Sequence, residues 1–146
     1  MSSRAAGPPT NPSVAMRRVA LVARIVLGLL FVLTGASGYY LVFSGAAIPP
    51  SPTPLATAFQ DVIFRSDFVL FVDGVELCAG LLLLANRYVP LALVALAAVI
   101  ANILAFHLTM APRTIALGLV VLVPWVILAL RHRASFAALL RAKTDD

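Results

Sequence analysis

Two carboxylates interrupt a stretch that is otherwise apolar. Asp73 and Glu76 lie within the run from Phe68 to Ala85, three residues apart, so on a helix both point to nearly the same face. At the centre of a membrane helix each would cost about 2.5–3.5 kcal/mol on insertion scales. A chain that keeps them there uses them in one of two ways. They form a polar site facing the interior of a bundle, able to hold a proton, a polar headgroup or the oxygens of a redox cofactor. Alternatively they are structural, held by an ion pair or a hydrogen bond.

Three further groups can join them. Arg24 lies within the apolar run Val19–Phe43, roughly 8 Å inside its basic edge at 1.5 Å per residue. Glu76 lies roughly 14 Å from the same edge of its own run. An arginine side chain can bridge that difference, which makes Arg24 the expected partner of Glu76, or it can snorkel to the headgroups. Asn102 falls near the middle of the run Leu91–Met110 and reads as interhelical glue or as part of the site. His107, near the end of that run, is a candidate proton donor or ligand, or an interfacial side chain. The candidate polar pocket is therefore Arg24, Asp73, Glu76, Asn102 and His107. Catalytic residues cannot be named from the sequence. The chain has no phosphate loop, no metal-ligand cluster and no Ser-His-Asp set. Its one cysteine, Cys78, can form neither an internal disulfide nor a dithiol centre and reads as a small apolar helix residue.

The elements that must position these groups are membrane helices. Of 146 residues, 62% are hydrophobic and 12% charged, against roughly 25% charged in soluble domains. The fold expected is all-α: four transmembrane helices in a bundle, at about 19–43, 68–85, 91–110 and 114–130. The tight turns Asn86-Arg87-Tyr88-Val89-Pro90 and Ala111-Pro112-Arg113 make the last three helices antiparallel neighbours. Pro124 lies inside the fourth span and is expected to kink it. Residues 1–16 read as a disordered tail, 17–133 as the membrane domain, and 134–146 as a short basic amphipathic tail. Between the first two spans, Thr53-Pro54 opens a short amphipathic helix carrying Leu55, Ala58, Phe59, Val62 and Ile63 at helical spacing. Ser66-Asp67 is the expected cap of the second span. Gly28, Gly35 and Gly38 give the first span a small-residue stripe for close helix packing, or a gap for a flat ring.

The net charge of +5 comes from flanking residues, with no basic stripe interleaved with aromatics, which argues against nucleic acid. Nine basic residues lie on one side of the predicted membrane: Arg4, Arg17, Arg18, Arg24, Arg87, Arg131, Arg133, Arg141 and Lys143. Only Arg65 and Arg113 lie on the other. By the positive-inside rule both termini are cytoplasmic, in a bacterial inner membrane if the Arg-, Ala- and Leu-rich composition reflects its source.

Four segments in this order resemble the DoxX and DoxX-like family of small bacterial membrane proteins. They are Arg24-Ile25-Val26-Leu27-Gly28-Leu29-Leu30-Phe31 followed by Gly35, the Glu76-x-x-x-Gly80-Leu-Leu-Leu pattern, Asn86-Arg87-Tyr88-Val89-Pro90, and Asn102-Ile103-Leu104-Ala105-Phe106-His107. The resemblance covers roughly residues 20–112. It implies a four-span bundle, and an accessory role with an interior polar pocket that binds a quinone or supports a partner oxidoreductase. On that analogy Arg24, Glu76, Asn102 and His107 occupy the characteristic polar positions. Many members also carry a basic residue near the end of the first span, where this chain has Gly38 and Tyr39. No cofactor is evident in the chain itself, so quinone is the cofactor the resemblance allows, and electrons must come from elsewhere. A non-enzymatic scaffold or assembly protein, a homo-oligomer, and a path for a proton or small solute are the alternatives.

Overall fold

The computed structural model describes residues 14–139. Among them the chain is all helical: α1 (Val14–Ser44), α2 (Pro54–Arg65), α3 (Phe68–Leu84), α4 (Val89–Thr109), a 3₁₀ turn (Pro112–Thr114), α5 (Ile115–Arg131) and α6 (Arg133–Leu139). Among the described residues three helical segments are long and apolar enough to cross a membrane: α1 with 31 residues, α4 with 21, and Pro112–Arg131 with 20. They make this a membrane protein. The helix α3 has 17 residues and carries both acids.

Packing follows a closed ring. α1 lies against α3, α3 against α4, α4 against α5, and α5 returns to α1. The α1–α3 interface is by far the most extensive. At the centre, Leu27, Phe31, Leu83, Leu93, Leu96 and Leu128 are fully buried. Outward-facing side chains such as Leu33, Phe71, Leu117 and Leu130 are apolar and exposed, as a lipid solvent requires. Trp125 ties α5 to α4 by donating from Nε1 to Leu93 O at 2.9 Å.

The short helix α2 closes one end of the bundle. Thr53 is its N-cap, accepting from Ala56 N–H at 3.2 Å, and Pro54 follows as first helical residue. The Thr53 hydroxyl also reaches Met110 O at 2.7 Å, pinning α2 to the end of α4. Ala56 is fully buried and Phe59 stacks on Phe106, with ring centroids 5.8 Å apart.

Several boundaries differ from expectation. α1 starts at Val14, so residues 14–16 are helical, while 1–13 lie outside the described residues. The last helix spans Arg133–Leu139, and residues 140–146 lie outside the described residues. Asp67 occupies the N-cap of α3 but adopts a left-handed φ of 56° and makes no side-chain cap bond. Ser66 instead ends α2, donating from Oγ to Ile63 O at 3.1 Å. The α3–α4 turn also uses left-handed residues, Asn86 at φ 54° and Tyr88 at φ 50°.

Candidate functional site

The close approach of α1 to α3 begins with glycine. A Cβ built on Gly35 would sit 2.7 Å from the backbone oxygen of Asp73, and one on Gly80 would sit 2.9 Å from the backbone oxygen of Gly28. The two helices run antiparallel in a single register from end to end. Arg24 meets Leu83, Thr34 meets Glu76, and Tyr39 meets Leu70. That register decides what each carboxylate faces.

Glu76 is buried and faces Thr34, whose Oγ1 lies 2.6 Å from Oε2. The hydroxyl has one proton and three acceptors in reach: Glu76 Oε2, Leu30 O at 3.0 Å and Phe31 O at 3.3 Å. An ionised Glu76 accepts a hydrogen bond from the Thr34 hydroxyl. A protonated Glu76 donates to Thr34 and releases the hydroxyl to its own helix. Asp73, equally buried, faces Gly38. Its carboxylate fills the space where a side chain at position 38 would stand, and its Oδ2 has no hydrogen-bond partner. One turn further, Tyr39 donates to Leu70 O at 3.0 Å.

Arg24 does not pair with Glu76. Its guanidinium donates to Leu83 O at 2.5 Å and approaches Leu84 O at 3.4 Å. These are carbonyls of the last turn of α3, where helical acceptors run short of donors; Leu83 O also accepts from Asn86 N–H at 3.1 Å. A cation at a helix C-terminus also meets the negative end of the helix dipole. Register explains the difference from expectation: Arg24 lies ten residues from Thr34 on α1, and Glu76 pairs with Thr34. The arginine therefore does not bridge to the acid.

His107 sits elsewhere, between α4 and the 3₁₀ turn. It is buried, and Nδ1 lies 2.8 Å from Thr114 Oγ1. Thr114 donates to Ala111 O at 2.8 Å, so it accepts from His107 Nδ1–H. Asn102 is on the outer face of α4, exposed, with its amide donating to Ala98 O of its own helix at 3.1 Å.

The five candidates thus fall into four places, and only Asp73 and Glu76 share one. They line no common cavity. An open groove of about 720 Å³ lies between α1 and α5, walled by Val22, Val26, Val123 and Ile127 with Arg18 at one end, and it includes none of the five. Among the described residues no group of three or more His, Cys, Asp or Glu gathers to hold a metal, and Cys78 is exposed and unpaired.

Sequence reasoning passed over Thr34 and Thr114, the direct partners of Glu76 and His107. The signal for Thr34 was a mid-span hydroxyl beside Gly35, in a chain whose next span carries carboxylates. No family model matches the chain, and neither a curated protein nor a solved structure does.

Proposed function

We propose that this chain is a four-span membrane scaffold or accessory subunit whose interior polar residues hold its own helices in register. Any redox chemistry belongs to a partner, in keeping with the DoxX-like resemblance. The observation that carries this reading is the separate pairing of the candidates. Arg24 ends α3, Glu76 meets Thr34 and His107 meets Thr114, each across a contact between neighbouring segments.

Four spans are supported by the α1–α3 register. The paired stretch from Arg24 to Tyr39 covers 15 steps of α1, about 22 Å at 1.5 Å per residue. Where α1 crosses the bilayer, α3 runs beside it, and 17 residues is the short limit of a span. The excess of basic residues at the Arg24 end supports cytoplasmic termini and a bacterial inner-membrane location. The arginine is already committed to α3, so a quinone held by Arg24 and Glu76 together finds no support in the geometry.

A second reading rests on one atom. Asp73 Oδ2 is buried without a partner, and beside Glu76 it forms a site that can hold a proton. Complementation separates the two. Host cells lacking the chain would be given wild type, Asp73→Asn or Glu76→Gln, and the partner complex and the folded level of each variant would be measured. The scaffold reading predicts that both variants restore the complex in proportion to their folded level. A variant present at wild-type level and stability that restores nothing overturns it in favour of the proton site.

A further inference from the structure

α4 turns a polar group outward where only lipid would meet it. Asn102 is 13 residues past Val89 and seven before Thr109, inside a helix of 21 residues. That places it about 10 Å below the nearer end of the helix, within the hydrocarbon. Its side chain is exposed, and one N–H donates to Ala98 O. Among the described residues its second N–H and its carbonyl oxygen have no partner. Leaving amide groups unsatisfied in hydrocarbon is costly.

The surface around it is shaped for another helix. Ala98, Ala101 and Ala105 are exposed on the same face, with Thr109 beyond them and Val94 before. Thr109 also spends its hydroxyl on its own helix, at Ala105 O. Small residues at three- and four-residue spacing let a second backbone approach closely, and an amide among them fixes the register.

We propose that this face of α4 is the meeting surface of two copies of this chain, with the Asn102 amides exchanging hydrogen bonds across a two-fold axis. The occupant follows from the chemistry of the amide. Its free N–H and free carbonyl are complementary to themselves, so one residue against its own copy satisfies both ends. Copies inserted in one orientation are related by an axis along the membrane normal, which brings α4 against α4 in parallel. A lipid chain in this place offers no donor or acceptor. The inference needs only that α4 crosses a membrane, and stands apart from the scaffold reading.

Cysteine cross-linking in native membranes tests it. In a Cys78→Ala background, Ala105→Cys places a thiol on the proposed face, and Leu33→Cys places one on the exposed side of α1, which α4 does not adjoin in the ring. Mild oxidation should give a disulfide dimer with Ala105→Cys and little with Leu33→Cys. In bilayers, dilution of labelled protein should show a monomer–dimer equilibrium weakened about tenfold by Asn102→Leu. That substitution makes α4 more apolar, so insertion is retained. Equal cross-linking at both positions, a monomer at every dilution, or a dimer indifferent to Asn102→Leu overturns the proposal.

Discussion

Thr34 holds its hydroxyl 2.6 Å from the carboxylate of Glu76, joining α1 to α3 at mid-helix. Two helices that are apolar on nearly every side can slide past one another at little cost. A hydrogen bond between two fixed side chains selects one register among several. Around this bond the other contacts of the seam fall into place, with Arg24 at one end and Tyr39 at the other.

The bond predicts a measurable coupling. Thr34→Val, Glu76→Leu and the double variant form a cycle, read by unfolding in bilayer-mimetic detergent. The coupling should be about 0.6 kcal/mol and at most about 1.7 kcal/mol, the range of interhelical hydrogen bonds in membranes. Additive single effects would mean that the two side chains do not depend on each other.

Gly35 is the tightest point against backbone in the same seam. Ala at this position would bring Cβ within 2.7 Å of the Asp73 carbonyl oxygen, an atom that cannot swing aside. Gly35→Ala should therefore destabilise the bundle by about 1–3 kcal/mol, the cost of overpacking. Gly45 provides the contrast. A Cβ there meets nothing within 4 Å, and the penalty comes from its left-handed φ of 65°, about 1–2 kcal/mol. Disulfide trapping across α1 and α3 should report a shifted contact in Gly35→Ala and an unchanged one in Gly45→Ala.

Stability should also respond to pH through His132, just beyond α5. Burial, with the Arg131 charge beside it, holds the imidazole below its ordinary value of 6.5. The folded state therefore takes up its proton at lower pH than the unfolded chain does. The stabilisation is full above about 6.5 and declines as pH falls toward the folded value. His132→Asn should flatten that part of the thermal-stability profile between pH 7 and 5. An unchanged profile would assign the slope to another group.

The membrane character and the small-residue stripe were legible because length, apolarity and residue size are properties of each segment alone. Gly28 and Gly35 on one line of α1 already called for a close neighbour, and α3 is that neighbour. Thr53-Pro54 likewise marks the start of α2 through local chemistry. Facing directions were harder. Helices that are apolar all round carry no stripe to say which side meets protein and which meets lipid. Asn102 was expected inside the bundle or gluing its helices, and it points outward. Arg24 was expected to reach Glu76, and its distance from Thr34 along α1 gives it to α3's last carbonyls instead. Such pairings depend on which helices adjoin and in what register, and neither is written in any one segment.

The most direct test of a structural role for the interior polar groups is the quinone content of the purified protein. Wild type and Glu76→Gln would be extracted from native membranes in mild detergent, and quinone per chain quantified by absorbance after organic extraction. If Arg24, Glu76 and His107 serve the helices themselves, wild type carries no more than a trace of quinone and Glu76→Gln does not differ from it. Near-stoichiometric quinone in wild type, lost in a folded Glu76→Gln, would contradict that role and make the α1–α3 seam a ligand site.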